Sequence, residues 1–244
     1  MISARRSIWP PNIPKRVKEL QALFMQEGAK YHVLPIDDRA GERLNAAVAG
    51  RPDLMQGRTS LTVYNGAPGM MENAFINVKN RSHSITAEVD VLANANGVIL
   101  CQGGRFGGWS LYLKDGKPIY RYNWLGREQY TIAATNPIPA GTATITFDFT
   151  YDGGGFGKGG TGTISVNGTQ VAKGGIDKTE AFVFAGDETA DVGRDTGTPV
   201  SEDYRVSDSK FKGTIGKVTV ALKPQPGAAR QPAMSLAQKF ALLD

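Results

Sequence analysis

The sequence predicts a mainly β protein: a two-sheet antiparallel β-sandwich of the jelly-roll, concanavalin-like or lectin-like kind, preceded by a helical N-terminal segment. From Thr59 onward, apolar and polar residues alternate with period 2 in about twelve short segments, as at 85–91 and 145–151. Asp115-Gly116 and Asn167-Gly168 each separate two such segments, and both dipeptides favour two-residue hairpin turns. Glycine accounts for 30 of the 244 residues, which is typical of many sharp turns between short strands.

The chain is expected to have three parts. Residues 1–58 comprise a disordered start, an amphipathic helix that begins near Pro14, and an extended segment. One narrow apolar stripe cannot form a core, so we expect Leu20, Leu23 and Phe24 on this helix to lie at an interdomain interface. Residues 59–222 form the sandwich, and residues 223–244 form a linker rich in proline, glycine and alanine, followed by a short helix.

The net charge of +5 does not indicate a nucleic-acid-binding surface. Basic residues outnumber acidic ones by ten to six in residues 1–58 and by three to one in residues 223–244, but residues 59–222 hold fifteen against sixteen. A phosphate-binding groove needs clustered positive charge on the folded surface, so we expect no nucleic-acid partner.

No apolar run approaches the ~20 residues of a membrane span. No apolar stretch follows the basic start, so no secretory signal is predicted and the chain as given is expected to stay in the cytoplasm.

Several motifs that could carry chemistry have plainer explanations. Cys101 ends an apolar run, which favours a small core residue over a nucleophile. The glycine-rich stretch at 152–162 departs from the phosphate-loop pattern and is expected to connect two strands flexibly. Acidic residues between Asp187 and Asp203 could supply oxygens to calcium, but they do not follow the D-x-D-x-D-G pattern. A solvated loop is therefore expected there, and no metal site is predicted.

Aromatic residues on two predicted strands are the candidates for ligand binding. If these rings face outward, they can stack on sugar rings; if they face inward, they belong to the core or to an interdomain interface. Both arrangements are open at this point, so a carbohydrate partner stays possible. With the neighbouring arginine, the candidates are Arg105, Trp109, Tyr120, Tyr122 and Trp124.

Six segments stand in a recognisable order along the chain: VKELQALF at 17–24, VLPIDDR at 33–39, NRS at 80–82, GGRFGGWSLY at 103–112, DGGG at 152–155 and DVGRDTG at 191–197. In this order they resemble the C-terminal region of large bacterial arylsulfatases, and the likeness extends from Lys15 to Leu222.

The resemblance implies a parent activity of sulfate-ester hydrolysis, performed by an N-terminal catalytic domain that holds calcium and a formylglycine made from a C-x-P-x-R cysteine. Here Cys101 is followed by glycine where that motif has proline. We therefore expect no catalytic residue, metal or cofactor in this chain, and no sulfatase turnover by the chain alone. The implied role is an accessory one, structural or in substrate access. The implied partner is a sulfatase catalytic domain. Independently of the resemblance, the exposed apolar stripe of the helix predicts self-association. The alternative is a stand-alone, carbohydrate-binding, lectin-like module.

Overall fold

The computed structural model describes residues 13–34, 36, 54–67 and 69–224. The chain divides into two compact units, Met1–Arg43 and Leu44–Asp244, which are described separately. The predicted disordered start, and the predicted C-terminal linker and helix, lie almost wholly outside the described residues.

The first unit contains helix α1, Ile13–Lys30, which confirms the predicted helix. Its end is a tight turn: His32 has a φ of 56°, and the N–H of Val33 donates to the carbonyl of Gly28. Such a bond satisfies a carbonyl that the last helical turn leaves unpaired. Among the described residues, no helix combines the length and the apolar character needed to cross a membrane.

The second unit is built from strands, and the described residues contain twelve. They are β1 (Ser60–Val63), β2 (Met70–Met71), β3 (His83–Val91), β4 (Gly97–Gly104), β5 (Gly107–Lys114), β6 (Lys117–Trp124), β7 (Glu128–Ala133), β8 (Gly141–Tyr151), β9 (Lys158–Val166), β10 (Thr169–Lys178), β11 (Thr189–Val192) and β12 (Gly213–Leu222). Two short 3-10 turns, Glu72–Ala74 and Val206–Asp208, lie between strands.

The strands form two six-stranded sheets, and every pairing between named strands is antiparallel. The first sheet has the order β1-β12-β3-β8-β9-β10 and the second the order β2-β11-β4-β5-β6-β7. The inward side chains of both sheets share one apolar core. This confirms the predicted two-sheet jelly-roll sandwich.

Both predicted hairpin turns are present. Asp115 and Gly116, with φ of 51° and 73°, join β5 to β6. Asn167 and Gly168, with φ of 49° and 81°, join β9 to β10. Aspartate, asparagine and glycine tolerate this left-handed backbone, which is why these two dipeptides fix the register of their hairpins.

The glycine-rich stretch is shorter as a loop than the sequence predicts. Only residues 152–157 connect β8 to β9, because the strand resumes at Lys158. A Cβ built on Gly162 would lie 2.4 Å from Ile132 Cδ1 and 2.7 Å from Phe147 Cε2. Glycine is therefore needed at this strand position to leave room for large core side chains, and not only for a turn.

Candidate functional site

Three of the five ligand-binding candidates lie in the core. Trp109, Tyr120 and Tyr122 are exposed by only 0%, 2% and 5%. The hydroxyl of Tyr122 accepts a hydrogen bond from the backbone N–H of Glu180 at 2.6 Å. The gap beside these rings has a volume of about 10 Å³, enough for one water molecule at most. A sugar cannot stack on them, so the structure shows the inward arrangement that the sequence left open.

The other two candidates lie at one end of the sandwich. Arg105 is exposed in the turn between β4 and β5. Trp124 is half-buried at the end of β6, and Lys178 Nζ lies 4.8 Å from the centre of its ring. The turns β4–β5 and β6–β7 both belong to this end, because β4, β5, β6 and β7 are consecutive antiparallel neighbours.

These two turns carry an exposed apolar and cationic surface, here called the tip surface and defined by Arg105, Phe106, Leu125 and Arg127. The Phe106 ring is 74% exposed, and Leu125 is 40% exposed. Neither guanidinium forms an ion pair with a described residue. The exposed Phe106 ring and the two guanidinium groups therefore lie on adjacent turns and are available to a ligand.

A buried amide holds the two turns together. Asn123 is only 1% exposed, and its Nδ2 donates to the carbonyls of Gly104 at 3.3 Å and Arg105 at 2.9 Å. Its Oδ1 accepts from the N–H of Gly126 at 2.9 Å in the neighbouring turn. A Cβ on Gly126 would lie 3.1 Å from the carbonyl oxygen of Arg105, so the two backbones are close. The tip surface therefore has a fixed backbone.

A second set of bonds supports Arg105 from the other side. Its N–H donates to Thr198 Oγ1 at 2.8 Å, and that hydroxyl donates to Glu188 Oε1 at 2.7 Å. A Cβ on Gly104 would lie 2.6 Å from Thr198 Oγ1 and 2.7 Å from Glu188 Oε1. Glycine at this position permits the contact.

A pair of exposed aromatic rings lies on neighbouring loops of the same end. The ring centres of Phe156 and Phe182 are 5.6 Å apart, and both rings are partly exposed. Asn80 joins their loops, because its Oδ1 accepts from the N–H of Gly157 and its Nδ2 donates to the carbonyl of Ala181. This end of the sandwich thus presents several aromatic rings to solvent.

The outer face of the second sheet is covered over β4, β5 and β6, whereas the outward residues of β7 are exposed. Residues 193–211, here called the covering segment, lie over it and place Val200 and Tyr204 against Tyr112 and Ile119. The Tyr112 ring meets Tyr204 edge-on at 5.3 Å. A ligand cannot reach Tyr112 or Ile119 while the segment is in place.

The acidic stretch is not wholly the solvated loop that the sequence predicts. Asp191 and Asp195 are 4% and 1% exposed. Burial raises the pKa of Asp195 to about 6, although Tyr204 and the N–H of Val200 donate to its carboxylate and act in the opposite direction. Asp191 is buried because it lies on β11 within the second sheet, and Asp195 is buried because the covering segment lies over that sheet. No local pattern in the sequence indicates either position.

Cys101 is fully buried, as predicted for a core residue. Burial, with the nearby carboxylates of Asp195 and Asp191, raises the pKa of its thiol. A buried thiol of raised pKa is a poor nucleophile, so the residue does not form a catalytic centre of the thiolate type.

The candidates predicted from the sequence do not include Phe106, Leu125 or Arg127. One signal was present in the glycine pairs 103–104 and 107–108, which flank Arg105 and Phe106 and indicate a tight turn with these two side chains at its tip.

No protein-family model and no curated protein matches the chain. Among solved structures, it is similar to a carbohydrate-binding module, CBM40, of the Ruminococcus gnavus IT-sialidase at 16% identity, over 69% of this chain and 92% of that one, with a TM-score of 0.43. It is similar to a heptameric SAP-like pentraxin from Limulus polyphemus at 14% identity, over 68% and 78%, with a TM-score of 0.41. It is also similar to domains LG4-5 of the mouse laminin alpha1 chain at 12% identity and a TM-score of 0.41; 68% of this chain spans 40% of that structure.

Proposed function

We propose that the sandwich is a carbohydrate-binding accessory domain, and that its tip surface binds sugars that carry carboxylate or sulfate groups. The observation that carries this proposal is the Phe106 ring, which is 74% exposed on a turn adjacent to that of Arg127. Asn123 fixes both turns, and neither Arg105 nor Arg127 forms an ion pair with a described residue.

Each part of the tip surface suits one part of such a ligand. The face of an aromatic ring packs against the apolar C–H face of a sugar ring, and burial of about 50 Å² of apolar surface contributes about 1.3 kcal/mol. A guanidinium presents N–H groups in a planar fork that matches a carboxylate or a sulfate. Hydrogen bonds to charged groups contribute about 1.5–3 kcal/mol. Arg105 and Arg127 therefore favour acidic over neutral sugars.

The fixed backbone favours binding as well. A loop that becomes ordered only in the complex loses conformational entropy on binding, which lowers the affinity. The bonds from Asn123 and Thr198 order both turns in advance. We expect affinities near the millimolar level for a short ligand, where the binding free energy is about −4 kcal/mol.

Isothermal titration of the full chain with a sulfated, uronate-containing tetrasaccharide and with neutral cellotetraose tests the proposal. We expect binding of the acidic ligand only. Phe106→Ala and Arg105→Gln should each weaken it about tenfold, since one charged hydrogen bond or one ring contact corresponds to about 1.4 kcal/mol.

Two matched variants control for general effects. Tyr64→Ala removes a ring that is also largely exposed, and Lys210→Gln removes a cation beside the other end of β4. Both should bind as the natural chain does. Equal binding by all four variants, or none of either sugar at millimolar concentration, contradicts the proposal.

The resemblance to arylsulfatases suggests the protein in which this domain would act. In that protein the sandwich is an accessory region beside a separate sulfatase catalytic domain, and that domain would contact Leu20, Leu23 and Phe24, each about half exposed on α1. Co-purification with such a catalytic domain, lost in Leu20→Asp and kept in Lys18→Asp, is the expected result. A chain that hydrolyses an aryl sulfate by itself would contradict this accessory role.

A further inference from the structure

Under the covering segment, three side chains that can bind a metal ion converge. Cys101 on β4, Asp191 on β11 and Asp195 each contribute one ligand atom, and these three atoms lie within 4.8 Å of one another. All three residues are buried. The backbone carbonyls of Arg194 and Asp191 lie 3.7 and 3.9 Å from Cys101 Sγ, which brings further oxygens to the same place.

One carboxylate oxygen of these three residues lacks a hydrogen-bond partner among the described residues. Asp195 is 1% exposed, and its Oδ1 has no hydrogen-bond partner among the described residues. Its Oδ2 accepts from Tyr204 Oη at 2.9 Å and from the N–H of Val200 at 3.2 Å. A buried carboxylate oxygen without a donor or a cation is costly, and native proteins seldom leave one so. Oδ1 is therefore the oxygen that is free to bind an ion.

The ligands are also oriented as metal ligands usually are. Asp191 Oδ1 accepts from Thr189 Oγ1 at 2.9 Å, and its Oδ2 accepts from the N–H and the hydroxyl of Thr196 at 3.0 and 2.6 Å. Carboxylate oxygens have several lone pairs, so an oxygen that accepts these bonds can still bind a cation. Outer hydrogen bonds of this kind fix ligating side chains in metal sites.

We propose that Cys101, Asp191 and Asp195 bind a divalent transition-metal ion of the zinc class beneath the covering segment. A thiolate ligand argues against calcium and magnesium, which take oxygen ligands, and two carboxylates with one sulfur suit Zn²⁺. Bonds of about 2.3 Å to sulfur and about 2.0 Å to oxygen place tetrahedral ligand atoms roughly 3.5 Å apart. The side chains need to approach one another by about 1 Å.

Charge balance also favours the ion. When the ion binds, the thiol loses its proton to solvent, and the thiolate and two carboxylates carry three negative charges, of which the ion offsets two. The site joins β4 and β11 to Asp195 of the covering segment, so occupancy would fasten that segment to the second sheet.

Titration of the chelator-stripped full chain with Co²⁺, and then with Zn²⁺, tests the proposal. We expect one equivalent of Co²⁺ to produce a thiolate-to-cobalt charge-transfer band in the near ultraviolet, and one equivalent of Zn²⁺ to remove it. Cys101→Ala should abolish the band. Asp195→Asn, which keeps the shape of the side chain, should weaken Co²⁺ binding at least tenfold.

Asp187→Asn is the matched control, because Asp187 is an exposed acid a few residues away in the same stretch. It should bind Co²⁺ as the natural chain does. If the thermal melt of Cys101→Ala shows that this variant does not fold, Co²⁺ binding by Asp195→Asn still tests the proposal. The proposal is overturned if the natural chain binds less than a tenth of an equivalent, if the band persists in Cys101→Ala, or if all variants bind alike. None of the three metal ligands belongs to the tip surface, and the cobalt band and the sugar titration are separate measurements, so either proposal can fail while the other holds.

Discussion

Replacement of His83 should make the sandwich more resistant to acid. His83 is 4% exposed, and its ring lies near those of Phe147 and Phe149, with centres 6.4 and 5.4 Å away. Its Nδ1 lies 3.1 Å from the carbonyl of Arg81, so the neutral ring donates from Nδ1, and Nε2 has no partner among the described residues. A second proton would therefore sit on a buried nitrogen without an acceptor.

The size of the effect follows from the pKa of this histidine. Burial lowers the pKa to about 4 from 6.5; nearby Lys223 acts in the same direction, and the bond to Arg81 opposes it. The unfolded chain takes up the proton near pH 6.5, so the stability is fully present above that pH and is lost as the pH falls toward 4. Between pH 7 and pH 4.5 the loss through this group is about 2.4 kcal/mol.

The loss of stability through His83 is measured by urea unfolding at pH 7 and pH 4.5. The proteins compared are the natural chain, His83→Phe and His83→Leu. The carboxyl groups titrate in all three proteins and cancel in the comparison. The natural chain should lose about 2.4 kcal/mol more than either variant between the two pH values. Parallel losses in all three proteins would refute the assignment of a buried neutral histidine.

Two further changes test the packing that positions the tip surface. Asn123→Ala removes the amide between the two turns and leaves buried carbonyls unpaired, so we expect the free energy of unfolding to fall by about 2–4 kcal/mol. We also expect the variant to lose its binding of the acidic sugar. Unchanged binding in a folded variant would contradict the role of Asn123. Gly162→Ala places a methyl group 2.4 Å from Ile132 Cδ1 and should lower the melting temperature by several degrees, whereas Gly175→Ala on β10, whose Cβ meets nothing nearer than 3.8 Å, should change it little. Equal melting temperatures for the two glycine variants would show that the core near Ile132 is loosely packed.

The sandwich could be predicted because its signals are local. Alternation with period 2 depends only on adjacent residues, and Asp115-Gly116 and Asn167-Gly168 specify their turns by backbone sterics alone. The strand character of Gly162 could not be predicted in this way. Glycine is required at position 162 because Phe147 and Ile132, which lie on other strands, leave no room for a side chain.

The candidate site was predicted only in part, for the same reason. Trp109 and Phe106 lie three residues apart, and whether each ring faces the core or solvent depends on where β5 begins. The burial of Asp195 depends on a segment that packs over a sheet formed far away in the sequence. Such contacts cost loop-closure entropy and are made by tertiary packing, which a window of neighbouring residues does not reveal.

Because Asn123 fixes the backbone of the tip surface, the position of this surface does not depend on which side chains it carries. Asn123 fixes the backbone of both turns from below, whereas the side chains at positions 105, 106 and 127 project away from the core and contribute little to stability. Exchange of these three residues should therefore alter which molecule is recognised without altering the fold. Leu125 is a poorer position to vary, because its φ of 55° restricts the residues it accepts. The domain thus divides into a constant framework and a short variable surface, as antibody domains do, and a library randomised at positions 105, 106 and 127 would yield binders on one unchanged scaffold.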